Sequence, residues 1–150
     1  MKLLLSLLFV LLLPGIAFAL SGRVISVTDG DTITLLVSGN RQVKIRLYGI
    51  DCPEKKQAFG QAARKFTAGM VAGRTVNVQD MGPDRYGRTV GIVGNLNEAL
   101  LQAGLAWVYP QFCKASFCQK WKLMEAEARR ARRGLWKEGN PVAPWKWRRK

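Results

Sequence analysis

Residues 32–54 read TITLLVSGNRQVKIRLYGIDCPE and contain the clearest strand pattern of the chain. Apolar and polar residues alternate on both sides of the segment SGN, which predicts two half-buried strands joined by a turn. A loop at residues 38–40 makes apolar residues face apolar ones and polar residues face polar ones, whereas a shorter loop would scramble this match. The predicted pairs are Ile33 with Ile45, Leu35 with Val43, Thr32 with Arg46, and Thr34 with Lys44.

The same register gathers charged side chains at one end of the predicted sheet. Asp31 opens the second strand and lies opposite Leu47, a few residues before Asp51. Pro53 ends the third strand, because proline lacks an N–H group and favours an extended residue before it. Strict alternation places Arg46 and Asp31 on opposite faces, so a bend, a bulge or a closing barrel has to bring them together.

The rest of the chain adds strands and helices in the order of a known architecture. Asp29-Gly30 is a strong hairpin-turn signal between the first and second strands. Five short strands with one helix after the third predict an OB-fold, a mainly β five-stranded barrel with three helices in the order β-β-β-α-β-β-α-α. The predicted strands cover residues 22–27, 32–37, 41–49, 75–78 and 89–93, and the predicted helices cover residues 57–71, 97–103 and 119–133.

Composition restricts the chemistry that the chain can perform. Lys and Arg number 24 against 10 Asp and Glu, which gives a net charge of +14 and predicts attraction to nucleic acid, acidic lipid or acidic polysaccharide. The chain has no histidine, which excludes Ser-His-Asp triads, histidine acid–base pairs and histidine metal sites. Catalysis therefore has to use Asp, Glu, Arg, Lys, Tyr, Cys or an oxygen-bound metal.

The amino terminus has the pattern of a secretory signal peptide. Lys2 precedes the apolar run at residues 3–13, and Ala17-x-Ala19 matches the small-residue cleavage pattern. We expect cleavage after Ala19 and a secreted or periplasmic mature chain of charge 24 − 1 − 10 = +13. The alternative, an uncleaved membrane anchor, is less favoured because the run is short for a span. The predicted division is a signal peptide at residues 1–19, a domain at 20–137 and a basic Trp- and Pro-rich tail at 138–150.

Three cysteines remain in the predicted mature chain. Cys113 and Cys118 are close in sequence, so an oxidising compartment favours a small disulfide loop between them over two free thiols. Cys52 would then be unpaired and packed beneath its loop, although an odd cysteine can also pair between chains.

Three motifs occur in an informative order: DGDT at residues 29–32, RLYGIDCPE at 46–54 and DRYGR at 84–88. In order and spacing they resemble the thermonuclease (staphylococcal nuclease) family, over about residues 24–136. The resemblance implies an OB-fold enzyme that hydrolyses phosphodiester bonds of DNA and RNA with calcium. It also implies low sequence specificity, 3′-phosphate products and a monomer with no obligate protein partner.

The resemblance also implies a role for each matching residue. Asp31, Asp51 and the backbone carbonyl of Cys52 are the expected calcium ligands. Glu54 is the expected general base, and Arg46 and Arg88 are the expected phosphate-binding arginines. Tyr86 is expected beside the nucleotide, as is Tyr109 by a looser match. These roles agree with physical chemistry, since calcium prefers oxygen ligands and arginine forks bind phosphate in bidentate fashion.

Two other functions are compatible with the same residues. The first is a non-catalytic OB-fold module that binds single-stranded nucleic acid through its basic face and aromatic side chains. The second is a cationic envelope protein that binds acidic lipid or polysaccharide through its arginine-rich last helix and tail. Structural roles are also open for single residues: Arg88, for example, can simply pair with Asp84. The tryptophans of the carboxyl-terminal region are expected to pack on the barrel rather than stack on bases.

Overall fold

The computed structural model describes residues 20–149. The predicted signal peptide lies outside the described residues, so cleavage and export stay predictions. Within the described part of the chain, no helix is both long enough and apolar enough to cross a membrane.

The elements are β1 (Leu20–Asp29), β2 (Thr32–Val37), β3 (Arg41–Leu47), β4 (Ile50–Asp51), α1 (Gly60–Val71), β5 (Thr75–Pro83), β6 (Thr89–Val93), α2 (Leu96–Gln102), β7 (Trp107–Val108), α3 (Cys118–Arg130) and α4 (Pro144–Trp147), with 3₁₀ turns at Ser38–Asn40 and Gly134–Lys137.

Five of these strands form a closed barrel in the order β1-β2-β3-β6-β5. All neighbouring strands in the barrel run antiparallel except β3 and β6, which pair in parallel. Helix α1 follows the third barrel strand and precedes the fourth, as the sequence pattern predicted. The prediction of a five-stranded OB-fold barrel is confirmed.

The predicted register between β2 and β3 is confirmed at each of its four pairs. Ile33 and Ile45 face each other in the barrel core, and neither side chain is exposed to solvent. The N–H of Leu47 donates a hydrogen bond of 2.9 Å to the carbonyl of Asp31, which places the two residues opposite each other. Matching of faces across the hairpin was therefore sufficient to fix its register.

Several element boundaries differ from the prediction. Strand β3 ends at Leu47 rather than Gly49, because the chain turns at Gly49 with a positive φ of 66° that favours glycine. Strand β5 continues to Pro83 through residues expected to form a polar turn, and a register shift between Asp80 and Pro83 accommodates the irregular segment. The two-residue strands β4 and β7 and the four-residue helix α4 are additions that no periodicity indicated.

The helix predicted at residues 97–103 does not begin at Asn97. The helix begins at Leu96, and the Asn97 side chain is buried instead. Its Oδ1 accepts a hydrogen bond from the N–H of Val93, and its Nδ2 donates to the carbonyl of Tyr48. Asn97 therefore connects β6 with the turn that follows β3.

The predicted disulfide between Cys113 and Cys118 is present, and Cys52 is a free, buried cysteine. The hydroxyl of Tyr48 accepts hydrogen bonds from the N–H groups of Lys114 and Ala115, at 3.0 and 3.2 Å. The disulfide loop is thus attached to the turn between β3 and β4. This turn leads directly into Asp51.

Candidate active site

Asp31 is held in the turn between β1 and β2 by contacts from α1 and from the loop after β4. The Thr67 hydroxyl of α1 donates a 2.5 Å hydrogen bond to the carbonyl of Gly30. A Cβ atom at Gly30 would lie 2.7 Å from the Cβ of Ala63 and 2.9 Å from the sulfur of Cys52, so only glycine allows this close packing. The Asp31 carboxylate accepts hydrogen bonds from its neighbour Thr32 and, at 2.7 Å, from the Cys52 N–H.

Asp51 reaches the same place from a different element. It ends β4, which pairs with β7 so that Asp51 lies opposite Trp107. Strand β7 is itself held by Glu125, whose carboxylate accepts a 2.5 Å hydrogen bond from the N–H of Val108. The Asp51 side chain is only 2% exposed. The barrel end and the small β4-β7 sheet therefore bring the two predicted acids together.

Arg46 joins the two acids. Its Nη2 lies 2.9 Å from Asp51 Oδ1 and 3.3 Å from Asp31 Oδ2. Its Nη1 donates to the carbonyls of Leu47 and Ile50, at 3.0 and 2.9 Å. The closed barrel thus resolves the conflict that strict alternation posed, because the long arginine side chain reaches across the barrel end to Asp31.

Burial destabilises the ionised form of a carboxylate unless cations lie nearby. Burial raises the pKa of Asp51 to about 6, and the hydrogen bond from Arg148 and the charge of Arg46 oppose a further rise. Burial also raises the pKa of the neighbouring Asp29, with smaller contributions from the charges of Asp31 and Glu54. A buried carboxylate of this kind is stabilised by any cation that it can contact.

Glu54 lies on the loop between β4 and α1, beside the two aspartates. Gln57 fixes this loop: its side-chain oxygen accepts a 3.1 Å hydrogen bond from the Glu54 N–H, and its own N–H donates to the Glu54 carbonyl at 2.8 Å. Gly60, the first residue of α1, packs so closely on the Glu54 backbone that any Cβ there would overlap it. The Glu54 side chain is 34% exposed and therefore open to a ligand.

Arg148, from the carboxyl-terminal tail, completes the cluster. Its Nη2 lies 2.8 Å from Asp51 Oδ2, and its Nη1 lies 3.2 Å from Asp51 Oδ1 and 2.5 Å from Glu54 Oε1. The guanidinium therefore binds one expected metal ligand and the expected general base at the same time. No sequence pattern singled out Arg148 from the other charges of the tail.

Arg88 and Tyr86 lie on the turn between β5 and β6. The Arg88 Nε pairs with Asp84 Oδ2 at 2.6 Å, so the structural role considered for Arg88 is present. Burial raises the pKa of Asp84, but hydrogen bonds from the Arg88 backbone and side chain outweigh it and lower that pKa. Thr89 pairs with Ile45, which places Arg88 beside the strand that carries Arg46. Tyr86 is 69% exposed.

Tyr109 is not exposed for base stacking in this structure. Its ring stacks on Trp145 of the tail, with centroids 4.8 Å apart and an interplanar angle of 8°. Trp145 also contacts Trp107 edge-on, and Trp107 contacts Trp136 in the same way. Trp136 and Trp145 therefore pack on the domain, whereas Trp147 is 38% exposed.

The donor set is compatible with calcium. Within residues 20–149, no group of three or more His, Cys, Asp or Glu side chains is arranged to enclose a metal ion. Asp31 and Asp51 alone would leave coordination positions for a backbone carbonyl, water and a phosphate oxygen, which suits a hard cation that takes six to eight oxygen ligands. The observed binding of the Arg148 cation by Asp51 and Glu54 indicates that this face of the cluster accepts positive charge.

The Cys52 thiol is separate from this chemistry. Its side chain is buried between Gly30 and α1, and burial raises the pKa of the thiol well above its ordinary value. A protonated, enclosed thiol is a poor nucleophile and a poor target for oxidants.

Sequence reasoning missed three residues that shape the site: Gln57, Gly60 and Arg148. Gln57 and Gly60 were assigned to helix α1 by its apolar spacing, and their contacts with Glu54 depend on the tight turn before the helix. Arg148 lies 94 residues from Glu54 in sequence. Such a distant pair has no local signal.

Comparison with known proteins agrees with this geometry. Residues 44–138 match the family described as staphylococcal nuclease homologue. The chain is 44% identical over 143 residues to Protein ParB of Escherichia coli, covering 87% of this chain and 80% of that protein. It is 41% identical over 146 residues to an uncharacterized endonuclease of Escherichia coli O157:H7, covering 94% and 93%, and 42% identical over 142 residues to a micrococcal nuclease of Shigella flexneri, covering 85% and 80%. The chain therefore belongs to the staphylococcal nuclease family.

Proposed function

We propose that this protein is a calcium-dependent nuclease that hydrolyses phosphodiester bonds of DNA and RNA with little sequence preference. The observation that carries the proposal is the convergence of Asp31, Asp51, Glu54 and Arg46 at one end of the barrel. These residues come from four different parts of the fold, namely the β1-β2 turn, β3, β4 and the loop before α1, and their meeting supports a common chemical task. Membership in a nuclease family and the nuclease names of two relatives point to the same class of reaction.

The proposed reaction uses each side chain for one task. Arg46 and Arg88 bind the non-bridging oxygens of the phosphate and stabilise the negative charge that builds on them. Glu54 accepts a proton from the attacking water, whose oxygen bonds to phosphorus while the bond to the leaving oxygen breaks and that oxygen takes up a proton from solvent. Asp31, Asp51 and the Cys52 carbonyl would hold calcium, which withdraws charge from the phosphate when bound. By the same family resemblance, we propose that the products carry 3′-phosphate ends.

The proposed location rests on a sequence pattern, and the proposed assembly state rests on the family resemblance. The signal-peptide pattern at residues 1–19 supports export to the periplasm or the medium. There, the mature charge of 24 − 1 − 10 = +13 would attract nucleic acid of any sequence. We propose a monomer without an obligate protein partner.

The test is cleavage of plasmid DNA and total RNA by the mature chain, residues 20–150, with millimolar calcium or with a calcium chelator. The proposal predicts that both substrates are degraded with calcium and remain intact with the chelator. Cleavage that persists with the chelator would contradict calcium dependence. Retention of DNA without cleavage under either condition would contradict the enzyme and support the non-catalytic OB-fold binder.

A further inference from the structure

The carboxyl-terminal segment of residues 142–149, called the strap below, is anchored across the mouth of the site. The Gln57 side chain, which also binds the Glu54 backbone, donates a 2.5 Å hydrogen bond to the carbonyl of Val142. Ala143 and Pro144 are buried, and Trp145 stacks on Tyr109. The strap is therefore fixed by packing on the domain and not by its ion pairs alone.

Helix α4 carries Arg148 from these anchors to the acids. The N–H of Arg148 donates a 3.0 Å hydrogen bond to the carbonyl of Pro144, which continues the helical turn. From there the guanidinium contacts both oxygens of Asp51 and one oxygen of Glu54. A calcium ion bound by Asp51 needs the same carboxylate oxygens, and a proton-accepting Glu54 needs a free one.

We propose that Arg148 is an intramolecular substitute for calcium: the strap closes the catalytic site in the metal-free protein, and calcium opens it by displacing Arg148. The inference rests on the proposed calcium site and adds a means of controlling it. A secreted nuclease of this kind would be inactive wherever calcium is scarce and active where calcium is abundant.

The exchange is physically reasonable because one cation replaces another. The Asp51 side chain is 2% exposed and is contacted by two cations, Arg46 and Arg148. Calcium in place of Arg148 would keep this buried charge compensated from both sides. The Arg148 side chain is 41% exposed, so its guanidinium is already partly hydrated before it moves into water. Beside it, a groove of about 490 Å³ lined by Glu54, Lys55, Lys56, Trp147 and Arg148 gives the side chain room to leave.

The test measures binding of calcium alone to the mature protein by titration calorimetry, for the wild type, Arg148→Ala and Arg149→Ala. Arg149 is the adjacent exposed arginine, so its variant removes the same charge without removing the contact with Asp51. A strap closed in about nine of ten molecules lowers the apparent calcium affinity about tenfold, since affinity scales with the open fraction. We expect Arg148→Ala to bind calcium about tenfold more tightly and Arg149→Ala to bind it like the wild type.

A second measurement follows the strap itself. Amide hydrogen exchange at Trp147 and Arg148 is expected to accelerate when calcium is added to the wild type, because the end of the strap loses the ion pairs of Arg148 while its anchors at Val142 and Trp145 remain. Equal calcium affinity in Arg148→Ala and the wild type would overturn the strap proposal while leaving the calcium site intact. A raised KM for DNA in Arg148→Ala at unchanged calcium affinity would also overturn the strap proposal. That result would make Arg148 a substrate-binding residue. No calcium binding by any of the three proteins would overturn the calcium site and the strap together.

Discussion

Among residues 20–149, Arg46 is the cation that pairs with both buried aspartates. It contacts both carboxylates from a side chain that is itself 15% exposed. Burial alone would lower the pKa of Arg46, but the charges of Asp31 and Asp51 outweigh it and raise that pKa. The arginine thus has a structural role in the metal-free protein in addition to the phosphate-binding role proposed for it.

Replacing Arg46 with Met is therefore expected to destabilise the metal-free protein by about 3–5 kcal/mol, the usual result of leaving buried charges without their partner. Calcium is expected to restore part of that loss, since a ligand at about 100 times its Kd stabilises the folded state by about 2.7 kcal/mol. Urea denaturation with calcium and with a chelator measures both effects. Arg41→Met, on an exposed position of the same strand, is the control and should change stability little. Equal stability of the two variants in chelator would contradict the structural role of Arg46.

At the residue level, the sequence motifs predicted the charged residues of the site but not the residues that hold them in position. Asp31, Arg46, Asp51 and Glu54 lie in recognisable motifs, and the structure brings all four together. The side-chain amide of Gln57 contacts the Glu54 loop through its oxygen and Val142 through its nitrogen. The spacing of residues in the sequence predicts neither contact. Long-range hydrogen bonds of this kind depend on the tertiary fold.

At the scale of elements, the start of helix α1 decides where Glu54 lies. Phe59 precedes the helix with a positive φ of 65°, and Gly60 then packs against the Glu54 backbone. Gly69, in the same helix, is exposed and has open space where a Cβ would be added. The two glycines therefore form a matched pair for mutation.

Gly60→Ala is expected to destabilise the protein by about 1–3 kcal/mol, because the added methyl group forces the backbone of residues 54–55 to move. It should also lower kcat, since the proposed base moves with that backbone. Gly69→Ala is expected to stabilise the protein by about 0.5–1 kcal/mol, because alanine is the better helix former. Urea denaturation and cleavage assays of both variants provide the measurements. If Gly60→Ala were as stable and active as Gly69→Ala, this would contradict the claim that the packing of Gly60 holds the Glu54 loop in place.

Strands and helices with a clear apolar face were predicted well from the sequence. The β2-β3 register followed from alternation, and α1 followed from its apolar spacing. The β4-β7 pair was not predicted, because two-residue strands are too short to show a period. The residues of β4 and β7 are brought together by α3 and the disulfide loop, and both of these are distant from β4 in sequence.

For the molecule as a whole, the excess of positive charge is expected to govern binding to nucleic acid. After the proposed cleavage behind Ala19, the chain would carry a net charge of 24 − 1 − 10 = +13. Binding that neutralises phosphates releases counterions, and each neutralised phosphate of a single strand contributes about 0.7 to the slope of log affinity against log salt. Affinity should therefore fall steeply as salt rises.

Binding of a single-stranded oligonucleotide by Glu54→Gln, which should leave the strand uncut, is expected to weaken at least about tenfold between 50 and 200 mM NaCl. Fluorescence anisotropy at several salt concentrations gives the slope, and urea denaturation at the same concentrations is the control for unfolding. A flat dependence on salt would show that phosphate contacts do not dominate binding.

In the proposed mechanism, Glu54 performs the proton transfer in calcium-dependent hydrolysis. The most direct measurement is the rate of DNA cleavage in saturating calcium by the wild type, Glu54→Gln and Glu138→Gln, an exposed glutamate used as the control. We predict that Glu54→Gln lowers kcat about 10²–10⁴-fold, the usual contribution of a general base, while Glu138→Gln cleaves like the wild type. Cleavage by Glu54→Gln at the wild-type rate would contradict the account.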